Sequence, residues 1–501
     1  MPADYQQKWY AFIGIALLSF GCYLDYTVVN VALPTIQQEL HADLTQLQWI
    51  MNIYFLALCV LATIMGRCGD LFGRRRMLYT GVGVFGIASL VAGFAPDINW
   101  LIFGRLLQGI GAAIVFPLGP SLLPESFPSH EREKSIAWLG SLGGIALALG
   151  PVLGGTIVTY WGWRWIFFIN IPIIVLGYVF CYKPVKEVME EQTHRDLDWS
   201  GMFLLAVTMG GIVLGLIHSQ AAGWSDYMTL FYFVVGIGAS ILLVKIETNK
   251  TNPLIDFRDF NNVLFYSGAV LCFLAGVLSA VALFFDPLYL QIILKQSPEL
   301  SGIVLFSIPI AVFLVAMIVG RLINRLGIVN TILLGLGIGI LSGFLQIFFS
   351  NTSALWYIVI AFVCLGSMWA MGNTVPIIAA QTAVGPSRVS VATGTIITMF
   401  NVGGSVGLAI AVVIYNFLGN KSLEQQVNLH PQQLSPDLLM QLKQLIANPA
   451  HSLQMPMNDV VHQFFNVSFM QGFAGVMWFL LILSVVLFLS VAMFKKRSQM
   501  T

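Results

Sequence analysis

Residues 66–78 read GRCGDLFGRRRML, a short charged segment between two apolar stretches that are each long enough to span a bilayer. Residues 320–327 read GRLINRLG and repeat the pattern. Two glycines at this spacing allow neighbouring membrane helices to turn sharply and pack closely at the water boundary. The recurrence in a second half of similar length indicates an internal repeat. At one offset of 254 residues the aligned pairs are Gly66 and Gly320, Arg67 and Arg321, Asp70 and Asn324, Phe72 and Leu326, and Gly73 and Gly327.

The composition is that of a polytopic membrane protein. Of the 501 residues, 57% are hydrophobic and 9% are charged, and the mean hydropathy is +0.83, whereas about a quarter of the residues in a soluble protein are charged. The six cysteines are scattered, so we expect no disulfide framework, no metal site and no cofactor. A net charge of +1 gives no reason to expect a nucleic-acid partner. The N-terminus lacks the basic start and cleavage site of a secretory signal, so the first apolar segment is expected to be a retained spanning helix.

Fourteen stretches reach the length of about 20 predominantly apolar residues that a membrane crossing requires. Because the number is even, both termini are expected on one side of the membrane. The stretches are residues 9–34, 47–66, 77–95, 99–122, 135–160, 165–182, 200–219, 229–246, 263–294, 301–320, 329–350, 354–380, 391–417 and 464–494.

Lysine and arginine decide which side that is. Of the 24 basic residues, 19 fall on one face and four on the other, while Arg105 lies inside an apolar stretch. Positive charge is enriched in cytoplasmic loops, so both termini are predicted to be cytoplasmic.

The repeat also organises the chain into domains. The repeated segment follows the second and the tenth stretch, so two halves of six helices leave two helices over, which we interpret as a central insertion. The C-terminal half carries a long polar outer segment at 418–463, in which Pro436 and the leucines after it predict a short amphipathic helix. The predicted domains are an N-terminal half at 1–182, a linker with two inserted helices at 183–262, and a C-terminal half at 263–501.

Six short segments carry a family resemblance. Besides residues 66–78 they are 24–36 (LDYTVVNVALPTI), 105–111 (RLLQGIG), 150–155 (GPVLGG), 163–172 (WRWIFFINIP) and 288–291 (LYLQ). Together they resemble the major facilitator superfamily, and within it the fourteen-helix drug:proton antiporter branch. The resemblance implies an all-α fold of two six-helix halves with two inserted helices, and secondary active transport. Asn324 departs from symmetry, since it stands where an acid would match Asp70.

Asp25 is the first candidate for chemistry, because it lies about 24 Å along the first helix from Trp9, within the hydrocarbon. A charged aspartate near the bilayer centre costs roughly 2.5 to 3.5 kcal/mol, so it should face a cavity, find a partner or carry a proton. It is either a polar helix contact or, as the resemblance supports, a titrating proton-coupling site. Arg105 lies at a similar depth on the fourth helix and is the expected partner, unless it bonds backbone carbonyls instead. Gln108 could support either arrangement.

Further polar residues extend the candidate site. Asp286, in the first helix of the C-terminal half, is either a second site for proton coupling or a mouth residue beside Pro287. Other residues could line the substrate cavity, although packing is their alternative role. This set is Tyr26, Asn30, Gln108, Trp369, Asn373 and Asn401.

A third group is assigned to gating. The resemblance implies that Asp70 stabilises the N-terminus of the helix that begins near Ser390, and that Arg74 pairs with Glu125, so that the halves are held together on the cytoplasmic side. Topogenic charge is the simpler explanation for the same loop. Glycines on the fifth helix allow close packing and bending. The gating set is Gly66, Asp70, Gly73, Arg74, Glu125, Gly150, Pro151, Gly154 and Gly155.

These observations predict proton-coupled efflux of amphipathic or cationic small molecules by alternating access. The protein is expected in the plasma membrane, or in the inner membrane of a cell with two, as a monomer surrounded by lipid. A dedicated exporter, or less readily an importer, of one metabolite is the alternative, and a non-transporting receptor or scaffold is the alternative of another class. An enzyme is not predicted, because the sequence has no HExxH motif and no paired helical histidines.

The charge distribution makes the topology testable. Single cysteines replacing Lys186 or Arg388 in a cysteine-free background should resist an impermeant thiol reagent in intact cells, whereas a cysteine replacing Gln433 should react. Labelling of the Lys186 position from outside would overturn the assignment.

Overall fold

The protein is all-helical in the part that the structure, a computed structural model, describes: residues 3–42, 44–187, 198–250, 253, 257–385, 388–429, 436–447, 449 and 459–498. Short 3₁₀ turns and one π-helical turn, Tyr289–Ile293, supplement the α-helices. The α-helices are α1 (Ala3–Leu40), α2 (Leu44–Phe72), α3 (Arg74–Gly93), α4 (Ile98–Leu122), α5 (Arg132–Trp161), α6 (Trp165–Phe168), α7 (Asn170–Tyr182), α8 (Trp199–Ala222), α9 (Tyr227–Glu247), α10 (Val263–Leu288), α11 (Pro298–Leu305), α12 (Ser307–Leu326), α13 (Ile328–Ile347), α14 (Leu355–Ala383), α15 (Val389–Leu429), α16 (Pro436–Ala447) and α17 (Asp459–Ser498).

Each of the fourteen predicted stretches coincides with helix. Within the described residues, 13 helical segments are long and apolar enough to cross a membrane, and the remaining predicted stretch is the 30-residue α5. The sixth stretch is formed by α6 and α7 together, and the tenth by α11 and α12. Hydrophobic length therefore predicts the spanning helices of this chain.

The helices that border the polar segment 418–463 extend further than hydropathy predicts. α15 continues to Leu429 and α17 begins at Asp459, because polar residues with high helix propensity, such as Lys421, Glu424 and Gln425, continue a helix beyond its apolar stretch. The predicted amphipathic helix is α16, whose side chains Leu442, Leu445 and Ile446 are buried. The described residues of the polar segment are thus helical.

The two copies of the repeat make the same backbone turn. Gly73, between α2 and α3, has a φ of 102°, and Gly327, between α12 and α13, has a φ of 80°. Each glycine N–H still donates to the carbonyl four residues earlier, that of Gly69 at 3.0 Å and that of Ile323 at 2.8 Å. Only glycine adopts such positive φ values at little cost, which accounts for its place in both copies.

The chain forms two compact units. One comprises Met1–Cys272, Val312–Ile332 and Ala370–Val402. The other comprises Phe273–Ala311, Leu333–Trp369 and Gly403–Thr501. In the second unit the Tyr289 ring stacks on those of Phe349 and Phe473, with centroids 5.1 and 5.0 Å away. The predicted domain boundaries after residues 182 and 262 stay predictions.

The predicted central insertion is the hairpin of α8 and α9. The two helices approach closely, since a Cβ on Gly211 would lie 2.7 Å from the Cα of Gly236. Asp198 caps α8 by accepting from Gly201 N at 2.7 Å and also accepts from Lys250 Nζ, beyond the end of α9. Burial alone would raise the pKa of Asp198, but these donors outweigh it and lower the pKa from 3.8 to about 2. The ion pair therefore stabilises the hairpin above about pH 4 and is lost as the pH falls toward 2.

The repeated turn provides a matched pair of variants. Gly73→Ala should cost more stability than Gly327→Ala, because both place a side chain at positive φ, at roughly 1–3 kcal/mol, but a Cβ on Gly73 would also lie 2.8 Å from the Glu187 carboxylate carbon. Nothing lies within 4 Å of a Cβ on Gly327. Thermal unfolding of the two purified variants would measure the difference, and equal melting temperatures would contradict it.

Candidate functional site

A buried polar cluster lies at the centre of five helices of the first unit. Asp25 comes from α1, Ser89 from α3, Arg105 and Gln108 from α4, and Asn170 from the start of α7, while α2 contributes a carbonyl oxygen and an aromatic ring. The five polar side chains are each at most 1% exposed. Such a group of polar residues in apolar helices persists only if its members satisfy one another.

The Asp25 carboxylate accepts hydrogen bonds from three side chains. Arg105 Nη1 donates to Oδ2. Gln108 Nε2 and Asn170 Nδ2 both donate to Oδ1, each at 3.0 Å. The ion pair predicted from helix depth is therefore present, and two amide donors complete the shell around the carboxylate.

Arg105 is held from several directions. Its Nε donates to the carbonyl oxygen of Ile50 at 3.1 Å, and its Nη1 also donates to Gln108 Oε1 at 3.0 Å. The guanidinium carbon lies 4.4 Å from the centroid of the Tyr54 ring, and the Tyr54 hydroxyl donates to the Cys22 carbonyl oxygen at 3.2 Å. Both arrangements considered for Arg105, the aspartate pair and a backbone carbonyl bond, occur together.

Three members of this cluster were not predicted from the sequence. Ser89 Oγ accepts from Gln108 Nε2 at 2.9 Å and from Asn170 Nδ2 at 3.3 Å, and Tyr54 packs on Arg105. Asn170 could have been found, since it is the polar residue within the apolar run after Arg164 in WRWIFFINIP. Ser89 and Tyr54 could not, because serine and tyrosine are common in membrane helices and only the packing of the helices reveals their partners.

Two atoms of the cluster are buried without a hydrogen-bond partner in the described part of the chain. They are Arg105 Nη2, a donor, and Asn170 Oδ1, an acceptor. The cluster thus retains one donor and one acceptor that a rearrangement could satisfy.

A small cavity of about 20 Å³ lies between α1, α4, α5 and α14 of the first unit. Its polar wall includes Asn373, as predicted, and Ser19, whose buried Oγ has no partner among the described residues. Its aromatic wall is formed by Tyr23 and Phe116, with ring centroids 4.6 Å apart. At this volume the cavity has room for about one water molecule, which Ser19 and Asn373 could bind. Its remaining lining residues are Pro120, Ile136, Leu139, Gly140 and Ile377.

The other predicted cavity residues have different surroundings. Tyr26 packs on Phe55, with ring centroids 4.3 Å apart. Asn401 Nδ2 donates to the Ile397 carbonyl oxygen within its own helix at 2.9 Å. Trp369 is buried, and its Nε1 has no partner in the described part of the chain. The side chain of Asn30 lies outside the described residues.

The predicted contact of Asp70 with a helix N-terminus is present. Asp70 Oδ2 accepts from Val391 N, in the first turn of α15, at 3.2 Å, and Oδ1 accepts from Arg74 Nε at 2.8 Å. Gly66 permits this approach, because a Cβ there would lie 2.5 Å from the Ser390 carbonyl oxygen. We call Asp70, Arg74 and Val391 the latch. The counterpart of Asp70 in the repeat, Asn324, is exposed.

The pairing of Arg74 with Glu125 requires correction. Arg74 is buried and donates to Asp70, whereas the Glu125 side chain is 41% exposed and accepts from Arg132 Nη2 at 3.1 Å. The physical reason is that α4 ends at Leu122, and the 3₁₀ turn after it turns Glu125 toward solvent.

Glu187 is a further residue that was not predicted from the sequence. It caps α3 through both carboxylate oxygens, which accept from Arg75 N at 2.9 Å and Arg76 N at 3.1 Å. It lies in a polar segment without periodicity, so the sequence carried no indication of this role. The linker after α7 is thereby tied to the charged loop.

The glycines of the GPVLGG motif bring α5 against α1. A Cβ on Gly154 would lie 2.9 Å from the Val28 carbonyl oxygen, and one on Gly150 would overlap Thr27. Gly155 accepts from Thr159 Oγ1 at 2.8 Å, and the side chain of Pro151 lies outside the described residues. Thr27, two residues beyond Asp25, donates from Oγ1 to the Leu147 carbonyl oxygen at 3.1 Å. The surroundings of Asp25 and the surface of α5 are therefore in direct contact.

One stretch has the spacing of a hydrolase motif. Residues 403–407 read GGSVG, which matches GxSxG. The stretch lies inside α15, whereas a nucleophile elbow requires a sharp turn between a strand and a helix. It therefore gives no indication of hydrolysis.

Comparison with known proteins places this geometry in a family. The sequence model of the family described as Major Facilitator Superfamily matches residues 15–197 and 198–408 of this chain. The multidrug resistance protein Stp of Mycobacterium tuberculosis (strain CDC 1551 / Oshkosh) is 32% identical over 406 residues, which is 79% of this chain and 74% of that protein. The tetracenomycin C resistance and export protein of Streptomyces glaucescens is 31% identical over 414 residues, 81% of this chain and 76% of that protein.

A solved structure supports the fold independently. The human organic anion transporter MFSD10 (TETRAN) superposes with a TM-score of 0.60, covering 97% of this chain and 100% of that one at 12% identity. At that identity the likeness concerns the fold alone. With the family match and the relatives of similar length, the chain belongs to the Major Facilitator Superfamily and is a multi-pass membrane transporter of small molecules, not an enzyme.

Proposed function

We propose that this transporter is a proton-driven exporter of amphipathic small molecules, and that Asp25 is its proton-coupling residue. The observation that carries the proposal is the Asp25 carboxylate, which is fully buried and held by Arg105, Gln108 and Asn170. An acid at this depth is costly to retain for packing alone. Export agrees with two relatives that are named for resistance or export.

Protonation would change this cluster locally. A neutral carboxyl accepts fewer hydrogen bonds than a carboxylate and donates one of its own. A flip of the Asn170 amide would present Oδ1, which lacks a partner in the described residues, to that new donor. Arg105 would lose its counterion while keeping the Ile50 carbonyl oxygen and the Tyr54 ring. Protonation thus replaces a closed ion-pair network by one with an unbalanced buried charge.

The rearrangement has a direct route to the gate. Thr27 is bonded to α5 through the Leu147 carbonyl oxygen, and Gly150 and Gly154 leave little space between the two helices. A shift of α1 around Asp25 therefore displaces α5 as well. We assign the latch of Asp70, Arg74 and Val391 to the cytoplasmic side. Its opening would allow substrate to enter the transporter from the cytoplasm.

The cavity suggests the chemistry of the substrate. Tyr23 and Phe116 offer aromatic contact, and Ser19 and Asn373 offer hydrogen bonds. Since the cavity has room for about one water molecule, an amphipathic substrate with an aromatic group would bind between these walls only after they separate. We place the transporter in the plasma membrane, or the inner membrane of a cell with two, with cytoplasmic termini, working as a monomer.

Export of a single metabolite is the second candidate. One relative is named for export of one compound, tetracenomycin C. Flux measured in reconstituted vesicles over a chemically varied panel separates the two candidates, because a dedicated exporter would move one compound class and a multidrug exporter several.

The role of Asp25 is tested by two substitutions. Asp25→Asn fixes a neutral group of similar size, so it should abolish accumulation driven by a pH gradient while sparing passive exchange. Asp25→Glu keeps the acid but moves it by about one methylene, and should retain partial coupling with a shifted pH optimum. Both are measured in vesicles with an imposed gradient at matched protein content, first with ethidium and then with the panel.

A matched control is Asp97→Asn, since Asp97 caps α4 outside the cluster by accepting from Asn99 N at 2.9 Å. This variant should keep gradient-driven transport. Asp25 would be eliminated as the essential coupling site by full gradient-driven transport in Asp25→Asn, the result expected of a purely structural polar contact.

The latch is tested by Asp70→Asn. The substitution removes a negative charge from a helix N-terminus, worth about 0.3 to 1 kcal/mol, and should favour opening on the cytoplasmic side while slowing transport. Spin labels at the exposed residues Phe72 and Thr382 should report a longer distance. Asn324→Ala, the counterpart in the repeat, should leave distance and transport unchanged. An unaltered distance and activity in Asp70→Asn would reduce the loop to a topogenic signal.

A further inference from the structure

Asp286 is a second acid inside the membrane region, and its surroundings differ from those of Asp25. It lies near the C-terminal end of α10, within the span Val263–Ile293. Its exposure is 0%. Both carboxyl oxygens are buried and have no hydrogen-bond partner in the part of the chain that the structure describes. Asp25, equally buried, has three donors.

The protonation state of Asp286 follows from its lack of hydrogen-bond donors. Moving an ionised carboxylate from water to an apolar site without a partner is so costly that the group binds a proton instead. A neutral carboxyl loses only the hydrogen bonds of an uncharged polar group. A carboxylate with three donors can remain charged in the same protein.

The elements packed against this end of α10 bring tyrosines close to it. The Tyr415 ring, on α15, lies 5.2 Å from the Phe285 ring, and Tyr289, one turn beyond Asp286, donates to the Ser350 carbonyl oxygen at 2.8 Å. Phenols are neutral at physiological pH, so they supply no charge to balance a carboxylate. Other described titratable side chains on the neighbouring elements include Lys295, Tyr357, Lys421, Glu424 and His462.

The backbone after Asp286 is irregular. Pro287 cannot donate a helix hydrogen bond, the next turn, Tyr289–Ile293, is π-helical, and Lys295 has a φ of 51°. Such interruptions weaken a helix locally, and π turns occur frequently at functional sites. This end of α10 therefore has the local means to change conformation and expose the acid to water.

We propose that Asp286 is a second proton-binding site of this transporter, protonated in this conformation and deprotonated during the transport cycle. The inference rests on the proposed proton-coupled function. Asp286 is then the neutral acid of the pair, while Asp25 is the charged one, so the two sites exchange protons in different conformations and each cycle moves one proton more than Asp25 alone would carry.

Infrared spectroscopy tests the protonation without any transport. The carbonyl stretch of a protonated carboxylic acid should be present at pH 7 in the purified full-length protein. It should be lost in Asp286→Asn and kept in Asp25→Asn. Since Asn is a neutral replica of the protonated acid, Asp286→Asn should fold with an unchanged melting temperature, and Asp286→Ser provides a second variant. An identical band in the wild type and both Asp286 variants would overturn the proposal.

The accumulation limit tests the cycling. With the membrane potential clamped at zero and a gradient of about one pH unit, removal of one proton per cycle lowers the limiting accumulation ratio about tenfold. Asp286→Asn should show this loss with the panel compound of largest flux, whereas Asp25→Asn should lose accumulation entirely. An unchanged ratio in Asp286→Asn would overturn the cycling. A wild-type protein that ignores the gradient would refute the proposed function, and the infrared result then decides the protonation of Asp286 alone.

Discussion

The first unit depends on an ion pair that water does not reach. Asp25 and Arg105 come from different helices, and each alone would be an uncompensated charge in an apolar interior, a cost of several kcal/mol. The ion pair, together with the hydrogen bonds from Gln108 and Asn170 to Asp25, fixes how α1, α4 and α7 approach one another. Removal of either partner leaves the other as a buried charge without a counterion. For the same reason, protonation of the carboxylate would affect the packing of all the helices in the cluster.

Glycine determines where the helices around this pair can move. Gly154 lets α5 contact the backbone of α1, and Gly66 lets α2 contact the backbone of α15. At these contacts the glycines contribute no side chain, so the helices can separate and re-form with little repacking. The Asp25–Arg105 pair and the glycine surfaces therefore have complementary roles. Protonation of the pair would favour a movement of the helices, and the glycine surfaces keep the energetic cost of that movement low.

Features that depend only on length and on depth along a helix could be predicted from the sequence. The fourteen helices and the Asp25–Arg105 pair both result from the fixed rise of an α-helix. Ser89 and Glu187 could not be predicted, because their partners depend on helix rotation and on a loop without periodicity. The same limit explains the misplaced partner of Arg74, since only the structure shows that Glu125 turns outward after α4. The contact of Asp70 with α15 came from resemblance and not from the residues alone.

The repeat is symmetric in backbone but not in chemistry. Gly73 and Gly327 make the same turn, yet Asp70 is buried against a helix terminus while Asn324 faces solvent. Both copies are predicted on the cytoplasmic face, where one is bonded to a helix terminus and the other is not, so closure of that face would depend on one copy alone. Net flux still follows the gradients, but a contact that favours the closed state of this face would lengthen the time that the protein spends in it. The Asp70 carboxylate would thus determine which orientation the carrier favours at rest, although the carrier can transport in both directions.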